Sequence, residues 1–142
     1  MADRSVIDAT LERYYRAWSI RDHELYRTVW AEGASFADPP TDSELPPTGF
    51  QQILAGMEQV WANARAINYE RHHVWHCGHS VAVHSTVTMT LAGEPEAVAS
   101  VPLVHVFRFD DAGLVRRLEA FLDFELIEMV RGDRPAWLQP AS

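Results

Sequence analysis

The stretch Ser35-Phe36-Ala37-Asp38-Pro39-Pro40 carries one carboxylate from an apolar approach straight into two prolines. A residue before proline is pushed towards extended backbone, so Asp38 is expected to end a short strand, with Pro39 and Pro40 stiffening the exit. A carboxylate fixed at a strand end beside apolar side chains is a candidate proton-transfer base. The ordinary alternative is an aspartate that opens a turn before proline. His105 lies in Val101-Pro102-Leu103-Val104-His105-Val106-Phe107 and shares a strand face with Val101, Leu103 and Phe107. Desolvation there disfavours the imidazolium unless a carboxylate such as Asp38 opposes it. Neutral imidazole can donate, accept or relay a proton near pH 7. As a plain core residue it would instead be satisfied by Tyr14 or by a backbone carbonyl.

Other groups are weighed against these. Tyr14 falls on an apolar helix stripe, and a buried tyrosine hydroxyl needs a partner whether or not it has a function. His72, His73, His76, Cys77 and His79 crowd one segment. On a strand they divide between two faces and do not converge on a tetrahedron, so no metal is expected. Asp123, in Phe121-Leu122-Asp123-Phe124, alternates away from Leu118, Ala120 and Leu122 unless a β-bulge reverses it.

The elements that must position these groups follow from periodicity. Ser5-Val6-Ile7-Asp8 has the form of a capping box, and Ile7, Leu11, Tyr14 and Trp18 mark one helical face, with Tyr15 at its flank. Asp22 can cap a second helix carrying Leu25, Tyr26, Val29 and Trp30, ended by Gly33. The proline-rich segment 39–48 reads as a stiff rim over a pocket. Thr48-Gly49-Phe50-Gln51 is a second capping-box form, opening a helix that buries Ile53, Leu54, Met57, Val60 and Trp61. After Ala66 the period becomes two. Ile67, Tyr69, Arg71, His73 and Trp75 share one face, and three further strands follow: Val81 to about Leu91, Val98 to Phe109, and Leu114 to about Phe124. The tail beyond extends the edge or frays. Helices grouped before strands give an α+β domain, with one unit over residues 1–142.

Bulk properties narrow the function. The chain has 142 residues, 47% hydrophobic, with a net charge of −8 and no basic run. That composition is globular and argues against nucleic acid or an anionic membrane surface as partner. One cysteine, Cys77, permits no intrachain disulfide. The N-terminus lacks the apolar core of a signal peptide, and no apolar run reaches the ~18 residues of a membrane span, so a cytoplasmic location is expected.

Four segments resemble the nuclear transport factor 2-like superfamily, in its ketosteroid isomerase and SnoaL-like polyketide cyclase branch. They are Glu12-Arg13-Tyr14, the passage from Trp30 to Pro39, Pro46-Pro47-Thr48-Gly49, and the hairpin from Val106 to Val115. The resemblance implies a cone-shaped α+β barrel, with three N-terminal helices over the concave face of a curved, mostly antiparallel sheet. It places the isomerase base on Asp38, the oxyanion-donating tyrosine on Tyr14, and the second donor on His105. In the isomerases that second donor is a protonated aspartic acid, and this pairing of oppositely tuned groups is a worked case of pKa tuning. An imidazole at 105 departs from that pattern, which puts steroid isomerisation in doubt and leaves acid–base chemistry in place. Asp123 resembles the late-strand base of the polyketide cyclases, and His73 the strand histidine of scytalone-dehydratase-like members.

The resemblance therefore implies a cofactor-free isomerase, aldol-type cyclase or dehydratase acting on an apolar cyclic or polyketide-like molecule. Trp18, Trp30, Phe36, Met57 and Trp61 are expected to line its pocket, with His73, Leu103, Leu118 and Leu122. Epoxide opening is the alternative chemistry; its hydrolase form needs an Asp–Arg–Asp relay, for which Arg71, Arg108, Arg116 and Arg117 are the available sheet arginines. A non-catalytic ligand-binding module is the third reading. Members of this fold usually pair through the sheet, and the face opposite the pocket carries Val104, Val106 and Arg108, so a homodimer is expected.

Overall fold

The computed structural model describes residues 2–38, 40–41 and 43–139. Pro39, expected to stiffen the exit from Asp38, and the last tail residues, Pro140 among them, lie outside the described residues. Helix α1 (Arg4–Ile20) and helix α2 (His23–Arg27) precede strand β1 (Trp30–Ala37), and helix α3 (Phe50–Trp61) follows it. Then come β2 (Ala64–Cys77), β3 (Ser80–Leu91), β4 (Ala97–Phe109), β5 (Val115–Leu122) and the short β6 (Glu128–Arg131). The sheet order is β1-β5-β4-β3-β2, with β6 pairing the first part of β4 beyond the end of β5. Among the described residues, only β1 and β5 run parallel. The three helices cover the concave face of this curved sheet, the α+β architecture expected.

α1 buries Ile7, Leu11, Tyr14, Tyr15 and Ala17 against Val81, Val83, Phe107 and Phe109 of the sheet. Its start differs from the capping-box expectation. Asp3 is the N-cap residue and its side chain makes no cap bond, so Ser5 lies within the first turn. Asp22 does cap α2: its Oδ1 accepts from the Leu25 amide at 3.0 Å. That helix is shorter than the apolar spacing suggested, because Thr28 closes it and Trp30 already belongs to β1. Gly33, read as the helix end, sits inside β1 at φ 71°, where the register with β5 shifts. A left-handed residue within a strand suits glycine and bends β1.

Two departures bear on the site. β2 pairs Arg71 with Ser85 but His73 with His84, so one extra residue is accommodated at His72. That bulge reverses the alternation after Arg71. Over its described residues the tail does more than extend the edge. It forms β6 and then a 3₁₀ turn (Ala136–Leu138) that folds Leu138 into the second core, with Ile67, Val87, Met89 and Val101.

Candidate active site

A cavity of about 380 Å³ lies between the helices and the concave face of the sheet. Tyr14 and Trp18 reach it from α1, Tyr26 from α2, and Ile53 and Met57 from α3. The sheet contributes Phe36, Ile67, Tyr69, Val101, Leu103, His105, Ala120 and Leu122, and the tail contributes Trp137 and Leu138. Asp38 stands at its mouth, on a wall shared with a wider outer groove that also holds Pro40, Asp123 and Phe124. The three residues singled out for chemistry, Asp38, Tyr14 and His105, thus border one apolar space.

Their environments push them in different directions. Asp38 is exposed at its rim, yet partial burial pushes its carboxyl above the usual range. Among the described residues no arginine pairs with it: Arg71 bonds Glu12 at 2.6 Å and Arg117 bonds Glu119 at 3.1 Å. His105 is 5% exposed, and burial pushes its imidazole down to about 3, so it is neutral at pH 7. Burial likewise raises the phenol of Tyr14 well above its ordinary value, which keeps it a donor. The chain contains no lysine, so a lysine Schiff base has no place in its chemistry.

Tyr14, the partner that would satisfy His105 as a plain core residue, is not hydrogen-bonded to it. The two rings meet edge to face at 5.7 Å, and Tyr15 makes the hydrogen bond, its Oη 3.0 Å from His105 Nδ1. Behind Tyr15, the Arg71 guanidinium lies 4.9 Å from the ring centre. Sequence reasoning left Tyr15 at the flank of α1. Its exposure of only 4%, next to a buried Thr10–Leu11 turn, follows from α1 being covered over more than one stripe.

Of the expected lining residues, Trp18, Phe36, Met57, Leu103 and Leu122 border the cavity. Trp30 does not: it is core, packed on Tyr14 and Tyr26 at ring distances of 6.3 and 5.8 Å. Leu118 is fully buried in the apolar core and does not line the cavity. Trp61 packs against both apolar cores at the end of α3, under Arg21. His73 is on the opposite face because of the β2 bulge; it is exposed, stacks with His84 and lies tilted against Trp75. Asp123 stays outside the cavity, where its Oδ1 caps a 3₁₀ turn by accepting from the Glu125 amide at 2.9 Å. The clustered histidines go separate ways: His76 to Asp8 at 2.7 Å, His72 to Thr86 at 2.7 Å, and His79 to the Ala2 amide at 3.2 Å.

Sequence reasoning missed Tyr26, Tyr69 and the Trp137–Leu138 pair. Alternation assigns Tyr69 to the face of β2 that it occupies, and it borders the cavity while His73 does not. The apolar Ala136-Trp137-Leu138 run after Pro135 is the signal that the tail docks. The buried Trp18 indole N–H lies beside the Tyr14 and Tyr26 hydroxyls without a hydrogen bond of full geometry among the described residues, and those phenol oxygens are its nearest acceptors.

The architecture matches solved structures over nearly its whole length. The Δ5-3-ketosteroid isomerase from Mycobacterium sp. aligns with a TM-score of 0.72 at 17% identity, covering 88% of this chain and 98% of that one. SalBIII, an epoxide hydrolase/cyclase-like enzyme in pyran ring formation in the polyether salinomycin, aligns at 0.74 and 19%, covering 89% and 98%. A computationally designed 17-OHP binder aligns at 0.72 and 14%, covering 87% and 96%. At these identities the likeness establishes the nuclear transport factor 2-like fold and not the chemistry. No curated protein matches the chain in sequence. The family model for the SnoaL-like domain matches residues 11–118, and the chain belongs to that family.

Proposed function

We propose that this protein is a cofactor-free acid–base catalyst for an apolar cyclic or polyketide-like molecule, with Asp38 as base and Tyr14 and His105 as donors. The observation that carries this reading is that all three border one 380 Å³ cavity, with the carboxylate partly desolvated and the two donors held neutral by burial. Asp38 takes a proton from carbon or water at the mouth. Tyr14 and His105 stabilise the oxyanion that develops deeper in, or return the proton. Donors fixed in a dry site are each worth on the order of 3 kcal/mol of barrier. Isomerisation, aldol-type cyclisation and dehydration all fit this scheme. Epoxide opening through an Asp–Arg–Asp relay fits less well, because Arg71 and Arg117 are engaged elsewhere.

The test is elimination of a nitrobenzisoxazole, an activated probe that reports a buried carboxylate without the natural substrate. Wild type should exceed buffer, Asp38→Asn should abolish the excess, and the pH midpoint should lie above the ordinary aspartate range. Equal inertness of wild type and Asp38→Asn would remove the base and leave a ligand-binding module.

Pairing of two copies through the outer sheet face is part of the proposal. That face presents Val104, Val106 and Arg108, with Phe121 44% and Trp75 54% exposed. Light scattering at working concentration should give twice the chain mass.

A further inference from the structure

His105 has two ring nitrogens, and which one carries the proton decides whether it can donate into the cavity. Its Nδ1 lies 3.0 Å from Tyr15 Oη, in a buried bond. Nε2 makes no hydrogen bond with a described residue, and the imidazole borders the cavity. With the ring neutral, a single proton sits on one nitrogen or the other.

The surroundings of Tyr15 choose between them. A phenol is a stronger hydrogen-bond donor than a neutral imidazole N–H, and an imidazole lone pair is a better acceptor than a phenol oxygen. The Arg71 guanidinium, 4.9 Å from the Tyr15 ring, draws electron density from that oxygen and favours the donor direction further. Arg71 is held there by Glu12 at 2.6 Å. On the far side, the fully buried Ser85 hydroxyl lies beside Tyr15 and has no complete hydrogen bond among the described residues. It is positioned to donate to the phenol oxygen once Tyr15 has turned its own proton to His105.

We infer that Tyr15 is a positioning residue: its hydroxyl donates to His105 Nδ1, places the imidazole proton on Nε2, and aims that N–H into the cavity as an oxyanion donor. Glu12 and Arg71 set the direction of the bond from the surface. This deepens the proposed function by explaining how an imidazole stands in for a neutral acid, and it rests on that reading for the use of His105 as donor. The ligand so recognised is an enol, enolate or phenolate oxygen.

The test reads the proton directly. Long-range ¹H–¹⁵N correlation on protein labelled at histidine, with His105→Gln to assign the resonances, should show a pyridine-type Nδ1 and a pyrrole-type Nε2 at neutral pH. The opposite pattern in wild type overturns the inference whatever Asp38 does, and this holds even if Tyr15→Phe fails to fold. In folded Tyr15→Phe the single tautomer should become a mixture; an unchanged pattern also overturns the inference. Binding of 4-nitrophenol, read by its phenolate absorbance, should show phenolate affinity about tenfold lower in Tyr15→Phe than in wild type. Equal affinity would leave Tyr15 without the proposed role. If the elimination probe is inert while these three results hold, the base assignment fails and the positioning of His105 stands.

Discussion

Thr48 Oγ1 accepts the Phe36 amide proton at 3.1 Å, and the Thr48 amide in turn donates to Ala34 O at 2.9 Å. The sequence pattern assigned this threonine to a helix cap. Instead Gly49 starts α3 without a side-chain cap, and the Thr48 hydroxyl secures β1 two residues before Asp38. Ser35 Oγ donates to Pro46 O at 2.8 Å and makes a second tie between β1 and this loop. Thr48→Val should cost about 1 kcal/mol in urea unfolding. It should also lower the elimination rate through kcat more than through KM, since the base is displaced while the pocket remains. Loss of stability with an unchanged rate would mean that β1 does not depend on this bond to aim Asp38.

Asp38 yields a prediction on stability with a definite sign. Partial burial raises its folded-state pKa above the unfolded value, so between the two the native state binds more protons. Wild type therefore loses stability relative to Asp38→Asn as pH rises through the carboxylate range. Urea midpoints from roughly pH 3 to pH 7 should start close together and diverge in favour of Asp38→Asn. A variant that is less stable at neutral pH would show that Asp38 is a structural turn residue and not a strained base.

The residues that form the site were legible where local period and tertiary placement agree. The α1 stripe identified Tyr14, the proline pair put Asp38 at a strand end, and β4 alternation put His105 with Val101 and Leu103. Failure came where one residue changes a register or a long-range fold-back supplies the partner. Nothing local in Glu70-Arg71-His72-His73 says where β2 bulges, and that single extra residue moves His73 to the outer face. Tyr15 and Tyr14 are neighbours on α1, and only the depth of the sheet around His105 decides which hydroxyl reaches it. Trp30 and Leu118 have the same composition signal as true lining residues, but side-chain burial separates core from cavity wall only once the helices are docked.

Arg134 should control access. Its Nη2 donates to Phe124 O at 2.6 Å and to Leu138 O at 2.8 Å, which holds the Trp137–Leu138 turn against the cavity. Arg134→Ala removes these bonds, together with the one from Nε to Leu138 O at 3.1 Å, and leaves carbonyls to find water, at a cost of about 1–3 kcal/mol locally. Because the 3₁₀ turn (Ala136–Leu138) is not a strand of the sheet, this loss should open the cavity without unfolding the sheet. The expected result is weaker 4-nitrophenol binding, faster backbone hydrogen exchange confined to 132–139, and a red shift of the tryptophan fluorescence. Unchanged affinity and exchange would show that the tail is held by Leu138 packing alone.

His105 makes the sharpest pH prediction. Its folded-state value is pushed down to about 3 by burial, against an ordinary value of about 6.5 in the unfolded chain. Between those limits the unfolded chain binds the extra proton, so stability rises with pH up to the unfolded value and is lost as pH falls towards the folded one. The loss approaches about 1.4 kcal/mol per pH unit once the unfolded histidine is protonated. The other six histidines contribute their own slopes, so the comparison must be with His105→Gln, which keeps a polar side chain for Tyr15 and removes the titration. Between pH 7 and pH 5 wild type should lose roughly 2 kcal/mol more than the variant. Parallel pH dependences would mean that the imidazole accepts a proton in the folded state, paired with a carboxylate on the cavity wall. His105 would then act as a charged acid and not as the neutral donor that the Tyr15 bond supports.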